Sequence, residues 1–226
     1  MCFSAEASFV GGAVIGSIGI ATLRTVSMPI LRWLALIPIM LALQQFSEGI
    51  LWISFTHEIP LWLVNVCKYV YLTIAFLVWP LWIPFSVAIA EPNRTRALIL
   101  WGFTGVGLIL DILFIIFALS QQIGVVTINH RIVYLGSAPP DLLWAYGIII
   151  IVPLLISSIP NLAWFGVVIG ILAAITTYFY IYAFVSVWCF FSAIASLMLY
   201  YILKNKSTVT CRLVRNLFLP EKPRQQ

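Results

Sequence analysis

The feature that most constrains this chain is a series of seven long apolar stretches, which occupy most of its 226 residues. They run over residues 7–23, 33–54, 61–83, 97–119, 142–158, 161–180 and 183–203. A membrane-spanning helix needs about 20 mainly apolar residues, and each stretch meets or approaches that length. The pattern predicts an all-α integral membrane bundle of seven transmembrane helices over residues 1–203.

The composition excludes the main alternative classes. Only 8% of the residues are charged and 63% are hydrophobic, whereas soluble domains carry about 25% charged residues. Too few polar side chains are present to cover a soluble surface, and a disordered chain would be poor in apolar residues. The net charge is +5, but the chain has no polar domain that could bind nucleic acid through it. We therefore expect a lipid bilayer as partner and no nucleic acid.

The positions of the basic residues predict the orientation in the membrane. Lys and Arg favour cytoplasmic loops. If the N-terminus lies outside, ten of the twelve basic residues lie inside, with Arg131 outside and Lys68 within a span. We therefore expect the N-terminus outside and the C-terminus inside, where residues 204–226 form a basic cytoplasmic tail or an interfacial helix.

Tryptophan and proline help to place the ends of the spans. Trp62 and Trp82 bracket the third stretch, as expected for residues that favour the membrane interface. Pro80 and Pro84 predict a kink or an end to that helix, because proline lacks a backbone donor. No turn residue separates the last two stretches, and we expect a tight turn near residues 180–182.

The first stretch contains a small-xxx-small step formed by Gly12 and Gly16. Such a step lets a second helix approach closely. We expect it to serve packing within the bundle, with formation of a homo-oligomer as the alternative.

Three charged residues, Glu48, Lys68 and Asp111, fall inside predicted spans. A charge near the bilayer centre costs at least about 2.5–3.5 kcal/mol, and intramembrane charges commonly mark functional sites. With the predicted orientation, all three lie in the outer half of the membrane.

These charges and the polar or aromatic side chains near them predict an outward-facing pocket for a small polar or ionic ligand, with Asp111 as a proton or ion site. The alternative is a structural ion pair between Glu48 and Lys68. The expected ligand-binding residues are Gln44, Gln45, Glu48, Trp52, Lys68, Tyr71, Asp111 and Trp188.

Cys2 and Cys189 carry a second hypothesis. Removal of Met1 would give an N-terminal Cys2, whose thiol and α-amine suit nucleophilic catalysis or a soft metal ion. A Cys2–Cys189 disulfide is a further option on an oxidising face. Cys189 as a packing residue is the simpler reading.

Four motifs carry a resemblance to a known family: MCFSAEASF at residues 1–9, QQFSEGILW at 44–52, AFLVWPLWIP at 75–84 and FVSVWCFF at 184–191. The chain resembles a family of uncharacterised bacterial membrane proteins that begin MCFSATASF, with Glu6 in place of the family's Thr. The resemblance implies a multi-pass protein of the bacterial plasma membrane. It also draws attention to Cys2, Glu48, Trp188 and Cys189.

Three functions remain open from the sequence. The first is binding or transport of a small polar ligand at the predicted pocket. The second is an intramembrane enzyme or redox-metal protein that uses Cys2 and Cys189. The third is an accessory membrane subunit whose basic tail docks a partner.

Overall fold

A computed structural model describes residues 4–205, except for the side chains of residues 140, 141 and 182. In that range the chain is a helical bundle with one β-hairpin. The helices are α1 (Ala5–Thr25), α2 (Arg32–Ala35), α3 (Ile37–Ser54), α4 (Leu61–Thr73), α5 (Trp79–Ala90), α6 (Arg94–Ser120), α7 (Pro140–Ile156), α8 (Leu162–Tyr180) and α9 (Phe184–Ala195). The strands are β1 (Gly124–Thr127) and β2 (Ile132–Leu135). The predicted tail lies outside the described residues, except for 204 and 205.

Among residues 4–205, six helical segments are long and apolar enough to cross a membrane, which confirms most of the predicted spans. They are Ala5–Thr25, Pro29–Ser54, Leu61–Ala90, Arg94–Ser120, Leu162–Tyr180 and Phe184–Asn205. The fifth predicted stretch is also an apolar helix but a shorter one, Leu142–Ile156. A 3₁₀ turn over Ile181–Ala183 joins α8 to α9, where a tight turn was expected.

The third span is longer than predicted. A π-helical segment, Ile74–Val78, joins α4 to α5, so that one helix runs from Leu61 to Ala90. Trp82 therefore lies inside this helix. Of the two predicted effects of the prolines, a kink or an end, the structure excludes the end. The helix continues because the N–H of Trp79 donates to the carbonyl oxygen of Ile74, five residues back, and this π register precedes the first proline.

The missing N–H of Pro80 is compensated by another helix. In the π register, the carbonyl of Ala75 would accept from residue 80, which has no N–H to donate. The hydroxyl of Tyr146 on α7 takes that place and donates to the Ala75 oxygen at 2.7 Å. A tertiary hydrogen bond thus satisfies a buried carbonyl that the helix itself leaves unpaired.

The segment between α6 and α7 departs from the all-α expectation. Its strands β1 and β2 pair antiparallel, with Gly124 opposite Leu135 and Thr127 opposite Ile132. Asn129 and His130 have φ values of 48° and 55°, and this pair of positive angles suits a two-residue hairpin turn. The sequence signal was weak because Asn-His is a less typical turn pair than Asn-Gly.

The hairpin lies at the same end of the bundle as the start of α1 and the α8–α9 turn, and we call this the hairpin end. The ring of Tyr134 on β2 stacks on Tyr71 of α4, with 4.8 Å between the centroids. Lys68 donates to the carbonyl oxygen of Ile123, just before β1, at 3.3 Å. These contacts hold the hairpin against α4.

The small residues of α1 serve packing within the bundle. Gly12 faces the ring of Phe46, and Gly16 faces the methyl group of Ala42, both on α3. The structure therefore supports the internal role of the small-xxx-small step. Oligomer formation through the same residues stays a prediction.

At the opposite end, Glu91 joins two loops. Its carboxylate accepts from the Asn93 N–H at 3.2 Å, from the Ser157 hydroxyl at 3.1 Å and from the Ser158 N–H at 2.7 Å. Burial raises the pKa of Glu91, but these hydrogen bonds together outweigh it and leave the pKa below its ordinary value. The ionised carboxylate thus fixes the α5–α6 loop against the α7–α8 loop.

Helices α5 and α6 approach closely at Gly107. A Cβ built there would collide with the carbonyl oxygen of Pro80. That oxygen has no α-helical donor, because residue 84 is also a proline. Glycine carries only a hydrogen atom in the direction of that oxygen. Its Cα–H gives the oxygen a weak partner, which only glycine allows at this position.

We expect Gly107→Ala to destabilise the bundle by about 1–3 kcal/mol, because the added methyl group forces α5 and α6 apart. Gly105→Ala on the same helix is the matched control, since nothing lies within 4 Å of a Cβ built there. Unfolding of the purified protein in detergent measures the difference. Equal stability of the two variants would contradict the packing described here.

Candidate functional site

Four buried polar side chains and the partly buried Trp52 gather near the hairpin end, where α1, α3 and α9 meet. We call this group the Glu48 cluster: Ser8, Gln45, Glu48, Trp52 and Ser186. Gln45, Glu48 and Trp52 follow one another at helical spacing along one face of α3.

Contacts between the three helices hold the cluster together. The Ser186 hydroxyl on α9 donates directly to one carboxylate oxygen of Glu48. Phe9 packs directly over Gly49, which sets its neighbour Ser8 at the level of Glu48.

The cluster holds five buried polar atoms without a hydrogen-bond partner in the described part of the chain. They are Ser8 Oγ, Gln45 Nε2, Gln45 Oε1, Glu48 Oε2 and Trp52 Nε1. Ser8, Gln45 and Glu48 are each 0% exposed. Folded proteins pair nearly all buried polar atoms, and each exception needs an explanation. This concentration of unpaired donors and acceptors makes the Glu48 cluster the candidate functional site.

The structure does not join Glu48 to Lys68. Within residues 4–205, the carboxylate of Glu48 accepts from Ser186, while Lys68 donates to Ile123 and lies over the ring of Tyr69. Lys68 is thus used at the edge of the bundle to hold the hairpin, and the predicted ion pair does not form in this arrangement.

Gln44 and Tyr71 have structural partners. The Gln44 amide donates to the Tyr71 carbonyl at 3.4 Å and to the Cys189 sulfur at 3.6 Å, and it accepts from the Trp79 indole at 3.1 Å. The Tyr71 hydroxyl donates to the Val185 carbonyl oxygen at 3.2 Å. These bonds link α3 with α4, α5 and α9 directly beside the Glu48 cluster.

A cavity of about 160 Å³ lies between the hairpin and the beginning of α9. Ser186 lines it, together with Tyr134 and Ser137 from the hairpin side. Because the Ser186 hydroxyl also binds Glu48, this residue connects the cavity to the fully buried carboxylate. Ser186 therefore belongs both to the wall of this cavity and to the Glu48 cluster.

Asp111 lies apart from this cluster. The rings of Phe76 and Phe114 are 5.0 Å apart, and Gly107 meets Pro80, so Asp111 falls opposite the π segment. Lys68 lies on the same long helix as the π segment, about nine residues before the part that faces Asp111. Nine residues correspond to about 14 Å along a helix. The three charged residues consequently do not share one depth.

Trp188 and Cys189 face a different region. The Trp188 indole donates to the Ile169 carbonyl at 3.3 Å, and both residues line an apolar cavity with Tyr146 and Phe165. Cys67 and Cys189 are free thiols. Residues 4–205 contain no group of three potential metal ligands. Cys2 lies outside the described residues, so its proposed redox or metal role stays a prediction.

Sequence reasoning did not identify Ser8 or Ser186. Serine is common in membrane helices, where it bonds to its own backbone, and neither position stands out by charge. The available signal for Ser186 was its place in the FVSVWCFF motif, three residues before Cys189 and therefore on the same face of α9.

We expect Gln44→Leu to lower stability by about 1 kcal/mol or more, because the Trp79 indole would lose its acceptor in the bundle interior. Leu43→Ala, at a half-exposed neighbour on α3, is the control. Unfolding in detergent measures both variants, and an unchanged Gln44→Leu protein would show that the network contributes little.

Comparison with known proteins identifies the family. No curated protein and no solved structure matches the chain significantly. The model of DUF6629, a family of unknown function, matches residues 1–213 and confirms the expected membership of an uncharacterised family. The chain belongs to the DUF6629 family.

Proposed function

We propose that this chain is a multi-pass membrane protein of the bacterial plasma membrane that binds a small polar ligand at the Glu48 cluster. The observation that carries the proposal is the set of five unpaired, buried polar atoms contributed by Ser8, Gln45, Glu48 and Trp52. Intramembrane carboxylates typically mark ligand or ion pathways. Burying the Glu48 carboxylate without a cation costs free energy, which favours a ligand that binds from outside the chain.

The atoms indicate which chemical groups the ligand carries. Glu48 Oε2 requires a cationic group or a hydrogen-bond donor. Trp52 Nε1 can only donate, and Gln45 Nε2 also donates, so both require an acceptor. A small molecule with a positively charged or donating group close to an acceptor satisfies these needs together. A simple monovalent metal ion would leave the two N–H groups unpaired.

The cavity beside Ser186 supports access from the hairpin end. In the proposed topology the N-terminus and the hairpin lie outside, the apolar helix Leu142–Ile156 provides the seventh crossing, and the C-terminus lies inside. Helix α7 spans Pro140–Ile156, about 26 Å of helix, which is close to the thickness of a bilayer core. Ligand would then enter from outside. The same site would serve a protein that only binds the ligand and one that also transports it.

The binding proposal predicts ligand-dependent stabilisation that requires Glu48. Small amines, amino acids and other polar metabolites are added in turn to purified protein, and thermal unfolding is followed. We expect at least one compound to raise the melting temperature of the wild type and not that of Glu48→Gln, because binding to the folded state stabilises it.

Glu58→Gln is the control for this experiment, because Glu58 is an exposed carboxylate in the α3–α4 loop. It should respond as the wild type does. A compound that stabilises all three proteins equally binds elsewhere. If every stabilising compound behaves in that way, the Glu48 cluster is not the ligand site.

The proposed topology predicts opposite accessibility for two engineered cysteines. In a background without the native cysteines, Asn129→Cys in the hairpin turn should react with a membrane-impermeant maleimide in whole cells. Pro92→Cys in the α5–α6 loop should react only after the membrane is permeabilised. The reverse pattern would show that the hairpin faces the cytoplasm.

A further inference from the structure

Lys68 on α4 is a cation inside a predicted span, and Glu48, the partner expected for it, bonds to Ser186 instead. Its ammonium group donates to the Ile123 carbonyl oxygen at 3.3 Å and lies over the ring of Tyr69, 4.6 Å from the centroid. An ammonium has three donors, so two remain for an acceptor from outside the part of the chain that the structure describes. The described side chains also supply no ion pair for this charge.

The ammonium group of Lys68 lies toward the hairpin end of the bundle. Helical side chains lean toward the N-terminus of their helix, and α4 begins at that end, at Leu61. The bond to Ile123, in the segment between α6 and β1, agrees with this direction. Long basic side chains near the end of a span typically extend to the level of the lipid head groups. In a membrane-embedded bundle, the charge therefore lies on the side from which lipid phosphates approach.

Two open grooves flank α4 beside this charge. The first, of about 390 Å³, lies between the long helix and α6, where Leu77, Ile115 and Leu119 line it. The second, of about 510 Å³, lies between α3 and α4, and its wall includes Leu43 and Val66. We call them the α6 groove and the α3 groove. Both are lined mainly by apolar side chains, which suits hydrocarbon chains.

A ridge of two side chains separates the grooves. Tyr69 and Thr73 are four residues apart, so they lie one turn apart on one face of α4, and each of them lines both grooves. Tyr69 is 53% exposed on this face. Because the Lys68 ammonium lies over the Tyr69 ring, the positive charge stands at the hairpin end of the ridge, between the two grooves.

We propose that Lys68 and the two grooves form a site for one anionic phospholipid from the leaflet at the hairpin end. Its phosphate accepts hydrogen bonds from the Lys68 ammonium, and its two acyl chains lie in the α6 groove and the α3 groove, with Tyr69 between them. A partner helix would rest on the ridge as a single rod and would not fill both grooves. The site rests on the membrane location proposed above but not on a ligand at the Glu48 cluster.

Native mass spectrometry of the full-length protein tests the site. Purified protein in detergent receives equimolar phosphatidylglycerol and phosphatidylcholine, and the bound lipids are counted by mass. The wild type should hold one phosphatidylglycerol molecule more than Lys68→Gln, with about fivefold preference over phosphatidylcholine, the effect of one basic residue beside an anionic head group. Lys68→Arg should bind as the wild type does, because it keeps the charge.

Two alanine variants test the grooves without a change of charge. Ala118→Trp fills the α6 groove, which Ala118 lines, and should release the same lipid molecule although Lys68 is present. Ala174→Trp, at an exposed alanine of α8, is the matched control and should bind as the wild type does. Lys204→Gln is the control for charge, because Lys204 also lies over a tyrosine ring but lines neither groove.

Equal binding of the two lipids by the wild type, or equal losses in Lys68→Gln and Lys204→Gln, would overturn the proposal. So would an Ala118→Trp protein that binds lipid as the wild type does. A mass of two chains that Ala118→Trp abolishes would also overturn it, because a second copy would then occupy the grooves. Glu48→Gln should leave the lipid bound, so failure of this proposal and failure of the ligand proposal can be told apart.

Discussion

The arrangement of α3, α4, α5 and α9 beside the Glu48 cluster depends on the buried side-chain amide of Gln44. A primary amide in an apolar interior must be paired, and Gln44 finds its partners on three other elements: the Tyr71 carbonyl, the Trp79 indole and the Cys189 thiol. These bonds fix α3 against the long helix Leu61–Ala90 and against α9. The next residue, Gln45, and the next turn, with Glu48, then face the α1–α9 side. Both polar atoms of the Gln45 amide and one carboxylate oxygen of Glu48 are unpaired there. One residue completes a network, and its neighbours form an incomplete one.

A second constraint comes from proline in the long helix. Pro80 and Pro84 each remove a donor, and the bundle answers at two places: Tyr146 donates to Ala75, and Gly107 brings a Cα–H to Pro80. The π segment before Pro80 is part of the same adjustment. π segments are rare and frequently lie at functional sites. Here the segment faces Asp111. An interruption in the backbone hydrogen bonds of the long helix and a buried carboxyl group therefore occupy one region of the bundle.

The sequence predicted the membrane class and most helix positions well, because long apolar stretches have few other uses. It failed at Ala90, where tertiary contacts carry a helix past two prolines, and at β1 and β2, where the turn signal was weak. It singled out Glu48 and Asp111 because charge within a span is visible without a structure. It offered a Glu48–Lys68 ion pair as an alternative, since both residues lie near the outer ends of their spans, but side-chain direction and the hairpin decide that contact. Ser8 and Ser186 needed coordinates, because only packing distinguishes them from other serines.

The proposed function requires that a molecule from outside the chain complete the Glu48 cluster. A high-resolution electron cryomicroscopy map of the full-length protein, purified gently from its native membrane, tests this most directly. We expect non-protein density within hydrogen-bond distance of Glu48, Gln45 and Trp52, connected to the cavity beside Ser186. A map in which these same atoms are paired with one another or with other residues of the chain, and no such density is present, would contradict it.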